Sequence, residues 1–86
     1  MSERPTDPNA PRAPYQRVLD ALLEDIRSGR LAPGSRLPSE AELCRTHGVA
    51  RMTARRAVAV LRERGLVVTE WGKGSVRTGE VPKDDA

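Results

Sequence analysis

Between Pro38 and Gly48 the chain has room for a helix of only about two turns, and residues with a physical reason to be there mark both ends. Ser39-Glu40-Ala41-Glu42 is a capping box: the Ser39 hydroxyl can accept from the Glu42 amide while the Glu42 carboxylate reaches back. Pro38 marks the same boundary, and Gly48 is placed to end the helix in a left-handed conformation, with Leu43 and Cys44 facing inward. A second helical pattern follows almost at once, from about Arg51 to Arg64, with Ala54, Ala57, Val58 and Leu61 on one face and Gly65 at its end. Two helices joined by a tight turn at Gly48-Val49-Ala50 match the helix-turn-helix arrangement.

The flanking segments supply the rest of a small fold. Upstream, Val18, Leu19, Leu22, Leu23 and Ile26 recur at helical spacing from Tyr15, with Asp20, Glu24, Asp25 and Arg27 between them, and Gly29 ends the run. Leu31-Ala32-Pro33-Gly34-Ser35 reads as a type II turn, after which Arg36 and Leu37 suit a very short strand. Downstream, Leu66-Val67-Val68-Thr69-Glu70 is a β-branched run, Trp71-Gly72-Lys73-Gly74 a turn and Ser75-Val76-Arg77-Thr78 a return strand. Residues 1–14 carry four prolines at intervals of three and are expected to form a mobile arm, residues 15–78 the folded domain, and residues 79–86 a flexible, net acidic tail.

Size and composition remove several classes. Eighty-six residues hold one small core and no second, ligand-binding domain, so no metabolite site is expected in this chain. No run approaches the ~20 apolar residues of a membrane span and the N-terminus is Pro-rich and polar, so the expectation is a soluble, cytoplasmic protein with no membrane partner. The single cysteine, Cys44, has no disulfide partner, and Cys44 with His47 supplies two of the four ligands of a zinc site, so neither a metal nor a cofactor is expected. There is no second His, no cleft-borne carboxylate pair and no nucleotide-binding loop, which argues against an enzyme.

Charge is the positive clue. The chain carries 15 Lys and Arg against 12 Asp and Glu, a net +3, yet residues 51–65 alone carry +4. Thirteen of the cations are Arg, whose planar fork suits bidentate contact with phosphate or guanine. An α-helix fits a major groove about 12 Å wide, and Arg51, Thr53, Arg55 and Arg56 occupy the first turn and a half of the third helix. At ~100° per residue, Met52, Arg55 and Arg56 point away from the Ala54, Val58 and Leu61 stripe, so packing and recognition do not compete.

The order and spacing of these residues resemble the GntR-type winged helix-turn-helix transcriptional regulators across about residues 15–77. The resemblance rests on Tyr15, Gly29 to Gly34, Leu37-Pro38-Ser39-Glu40-Ala41-Glu42-Leu43, Gly48 to Thr53, Ala57 to Leu61, Gly65-Leu66-Val67 and Gly72-Lys73-Gly74. It implies an α+β winged helix-turn-helix, three helices with a C-terminal β-hairpin wing, acting as a sequence-specific double-stranded DNA binder and repressor in transcription. The contact set is then Arg51, Met52, Thr53, Arg55 and Arg56 for the major groove, Ser39 and Glu40 at the start of the second helix, and Trp71, Gly72 and Lys73 at the wing tip.

The chain departs from the family pattern at four points. Ala41 replaces the usual Arg, and Ala50 stands where Ser or Thr usually caps the third helix. Arg77 takes a position expected to be apolar, which predicts a loosely packed wing. The C-terminal effector and oligomerisation domain implied by the family has no counterpart in these residues, so the chain is expected to be an isolated DNA-binding domain or a short regulator. With Tyr15 and Leu23 the only large apolar side chains left for a partner surface, it is expected to be monomeric or weakly dimeric when free and to pair on a palindromic operator. Two other readings stay open in the sequence: a winged-helix protein-interaction module and a sequence-independent nucleic-acid binder.

Overall fold

The computed structural model describes residues 13–82; residues 1–12 of the arm expected at 1–14 and residues 83–86 of the tail expected at 79–86 lie outside the described residues, and Pro14, expected in the arm, opens the first helix instead. The element order is α1 (Pro14–Ser28), α2 (Glu40–His47), α3 (Arg51–Glu63), β1 (Val67–Glu70) and β2 (Gly74–Arg77). This is the expected α+β winged helix-turn-helix. Among the described residues no helix is long and apolar enough to cross a membrane.

Pro at the first position of α1 loses no hydrogen bond, because that amide would have no intrahelical partner. Ala13 has no side-chain oxygen to cap the helix, so only the returning half of a box forms, with the Ala13 amide donating to Gln16 Oε1 at 3.1 Å. Val18, Leu19, Leu22, Leu23 and Ile26 are buried along one face. Leu23 therefore belongs to the core, and is not the spare apolar group that the sequence suggested. In α2 both halves of the Ser39 box form, Glu42 N to Ser39 Oγ at 3.0 Å and Ser39 N to Glu42 Oε1 at 2.8 Å. Gly48 closes the helix at φ +66°, a conformation that costs glycine little, and its amide donates to Cys44 O at 2.8 Å. Leu43 is the buried residue of α2, with Cys44 half-buried at the edge of the core.

Helix α3 is the centre of the packing. Ala54, Ala57 and Leu61 are fully buried and Val58 nearly so, and this stripe lies against both α1 and α2. No side chain caps its start, as Ala50 predicts, and the amides of Thr53 and Ala54 donate to the Ala50 carbonyl.

The wing is an antiparallel hairpin in the register Val67↔Arg77, Val68↔Val76, Thr69↔Ser75 and Glu70↔Gly74. Gly74 thus opens β2 and does not belong to the turn where the sequence put it. The segment before α2 pairs with the outer edge of β2: Arg36 bridges Val76, Leu37 N donates to Ser75 O, Arg77 N to Ser35 O and Gly34 N to Arg77 O. The short strand expected at Arg36 and Leu37 is this single bridge and its flanking bonds, which satisfy backbone groups that an isolated hairpin would leave to water.

Arg77 corrects the expectation of a loose wing. It is only 6% exposed and stands opposite the fully buried Val67. Its stem takes the inward position, while Nη1 donates to Leu31 O and Nη2 to Glu80 O, each at 2.9 Å, leaving Nε buried without a partner. One guanidinium thereby ties the wing to the turn after α1 and to the segment leaving β2. Removing a charged donor that serves two carbonyls is costly, so Arg77→Ala is expected to destabilise the fold by about 2–3 kcal/mol, against about 1 kcal/mol for loss of the α2 cap in Ser39→Ala. Urea unfolding of both variants checks the order; Arg77→Ala within ~0.5 kcal/mol of the parent would mean the guanidinium does not hold the wing.

Candidate nucleic-acid interface

The exposed face of α3 follows from the buried one. Once Ala54, Ala57, Val58 and Leu61 turn inward, the period of 3.6 turns Arg51, Met52, Arg55 and Arg56 outward, with Thr53 half-buried between the faces. Met52 is 68% exposed although apolar. Among the described residues Arg51 makes no ion pair.

The two adjacent arginines are drawn in opposite directions. Arg55 forks onto Glu40 at the start of α2, Nε to Oε2 at 3.0 Å and Nη2 to Oε1 at 3.1 Å, so it spans the two helices of the motif. The hydrogen bonds from Arg55, with its charge and that of Arg51, hold the Glu40 carboxyl below its usual range. The same pair raises Arg55 above the ordinary guanidinium value. Arg56 instead lies over the Tyr15 ring at 4.0 Å from its centroid, a cation–π contact that joins α3 to the start of α1. Tyr15 is accordingly occupied within the domain.

At the wing tip Trp71 is fully exposed and does not pack back on its strand. Gly72 sits at φ +80°, where a side chain would be strained, and adding one would meet no neighbour, so the glycine serves the turn and not a tight contact. Lys73 projects beside it, with a loose ion pair to Glu70 at 3.8 Å.

A groove of about 1070 Å³ runs between the start of α2, the outer face of α3 and the wing. Ser39, Glu40, Arg55 and Lys73 border it, so three of the expected contact groups share one surface, whereas Trp71 and Gly72 lie beyond its rim. Met52, Thr53 and Arg56 line a separate, more apolar recess beside Tyr15, and Arg55 borders both. The groove also holds Arg36, Arg62 and Ser75, which were not in the expected set. Arg62 was readable by its spacing, because it follows Arg55 by seven residues and falls on the same helical face. For Arg36 and Ser75 no signal in the sequence points to this groove, since the pairing of the wing brings them there. Among the described residues no three His, Cys, Asp or Glu side chains gather as metal ligands would.

Comparison with known proteins bears on this geometry. The family model for bacterial regulatory proteins of the gntR family matches residues 14–76. The histidine utilization repressor of Klebsiella aerogenes is 43% identical over 67 residues, 78% of this chain and 28% of that protein. The transcriptional repressor NagR of Bacillus subtilis is 36% identical over 61 residues, 71% of this chain and 25% of that protein. The chain thus spans about a quarter of the length of the curated relatives it matches. Among solved structures, the DNA-binding domain of AraR in complex with operator ORR3 superposes with a TM-score of 0.76 at 28% identity, covering 88% of this chain and 92% of that one. YtrA of Sulfolobus acidocaldarius, a GntR-family transcription factor, gives 0.73 at 31% identity over 94% of this chain and 68% of that one. With most of its length matched by the family model and its fold shared with these regulators, the chain belongs to the GntR family of bacterial regulatory proteins.

Proposed function

We propose that this domain binds double-stranded DNA sequence-specifically and serves in transcription regulation, as a repressor acting in the cytoplasm. The observation that carries the reading is an exposed arginine face on α3 whose central member, Arg55, is held in a fixed orientation by Glu40 beside a basic groove and a wing. The matching AraR domain is itself bound to an operator, and the matching repressors share this domain. In this reading Arg51, Thr53 and Arg55 read base edges in the major groove, with Met52 and Arg56 alongside them. Ser39 and Glu40 lie at the nearby backbone, and Trp71, Gly72 and Lys73 enter the minor groove.

Glu40 has a specific part to play. A carboxylate facing phosphates lowers affinity, but a forked partner fixes the plane of the Arg55 guanidinium, and a planar fork is what guanine O6 and N7 require. Orientation is thus obtained at some cost in general attraction.

Arg51→Ala and Arg55→Ala are each expected to weaken binding to a duplex selected from a random pool by roughly ten- to a hundredfold, the loss expected of one bidentate base contact, while Arg64→Ala has little effect. Titration of the three variants against the selected and an unrelated duplex checks this; equal losses on both sequences would mark a general electrostatic surface. Glu40→Gln is expected to raise affinity for the unrelated duplex and to narrow the gap between the two. Acid acts in the same direction. Because the Glu40 carboxyl is lowered, its pair with Arg55 is complete at neutral pH and is lost only as pH falls through that lowered value. Discrimination should therefore stay flat as pH falls from neutrality through the ordinary carboxylate range and be lost only below it.

The free chain is proposed to be a monomer or weak dimer that pairs on a palindromic operator. Among the described residues the exposed large apolar side chains are Met52, Val68, Trp71 and Val81, two of them in the proposed DNA surface, which falls short of the roughly 1,200–2,000 Å² that a stable interface buries. Sedimentation at micromolar concentration is expected to give the monomer mass without DNA; a tight dimer would overturn this part of the reading.

A further inference from the structure

The groove between α3 and the wing has a consequence for how a duplex must lie. A major and a minor groove that adjoin are separated by one sugar–phosphate strand. If α3 enters one and the wing tip the other, that strand has to pass through the space between them, and this space is the groove bordered by Arg36, Arg62 and Ser75. Its two carboxylates are already engaged, Glu40 by Arg55 and Glu42 by the Ser39 amide at the start of α2. Among the described residues Arg36 and Arg62 have no ion pair.

Arg62 stands in the last turn of α3, where attraction to the helix dipole alone would explain a cation. Its guanidinium does not turn back to the helix carbonyls. Nη2 donates across the groove to Ser75 Oγ on β2 at 3.3 Å, which links the reading helix to the wing. That bond uses one of five guanidinium N–H groups, and a hydroxyl that accepts from Arg62 still has its own proton to donate. Both groups therefore keep donors for an anion seated between them.

We propose that Arg62 and Ser75, with Arg36 on the neighbouring bridge strand, form a seat for one phosphodiester of the strand that runs between α3 and the wing. The seat rests on the DNA-binding reading and extends it to a specific backbone contact. It binds whatever the local base sequence, sets the register of α3 against the wing, and makes the Arg62–Ser75 bond a brace that the phosphate completes.

The test uses Arg62→Gln, Arg36→Gln and Ser75→Ala, with Arg64→Gln as a neighbouring control, on a selected and an unrelated duplex across a range of salt. Each arginine variant is expected to reduce the slope of log affinity against log salt by about one and to weaken both duplexes alike, and Arg64→Gln to leave the slope unchanged. A second measurement locates the phosphate: neutral methylphosphonate groups are placed one at a time along the selected duplex. One position is expected to weaken the parent chain but to add nothing further in Arg62→Gln or Ser75→Ala. Parent-like slopes for Arg62→Gln and Arg36→Gln, or methylphosphonate losses that simply add to theirs, overturn the seat while leaving DNA binding intact. Failure of the parent chain to bind any duplex overturns the DNA-binding reading and the seat with it.

Discussion

Ala54, Ala57 and Leu61 are fully buried on one side of α3, and the rest of the molecule is arranged around that contact. Small side chains let α3 lie close to α1, so a helix of 13 residues is gripped firmly enough to present its other side as a rigid surface. The same contact fixes the direction of every arginine on the outer face, because side chains on one helix cannot rotate independently of its buried stripe. A domain this small has little core to spare, and on α3 the packing residues lie on the face opposite the exposed arginines.

The wing depends on a different device. Two strands of four residues are marginal alone, and here they are held by backbone pairing to residues 34–37 and by the buried guanidinium of Arg77. Arg77 joins the turn after α1, β2 and the segment at Glu80 through carbonyl oxygens alone. An apolar residue at that position would fill the space but could bond neither carbonyl. The wing of this chain is therefore anchored by polar contacts where an apolar side chain was expected.

Electrostatics then arranges the outer face. Arg55 and Arg56 are neighbours in sequence, yet Glu40 draws one toward α2 and the Tyr15 ring draws the other toward α1. Each of these exposed contacts is weak as a source of stability, since water and salt screen them. Their effect is on orientation, where a small preference among rotamers is enough to decide which way a long side chain points.

Local chemistry determined much of this fold from sequence alone. The capping box at Ser39, the turn at Pro33 and Gly34, the left-handed glycine at Gly48, the apolar stripes and the β-branched run each rest on residues within a few positions of one another. Periodicity also showed which residues of α3 face outward, and the resemblance in motif order pointed to the family. What it could not show is what those residues face. Arg55 meets Glu40 across 15 positions, Arg62 meets Ser75 across 13 and Arg77 meets Leu31 across 46. Those pairs, the inward place of Leu23 and the groove that holds Arg36 are set by the angles at which helices and hairpin pack. A repeat pattern carries the direction of a side chain around its own axis, and only the tertiary structure supplies the partner at the end of that direction.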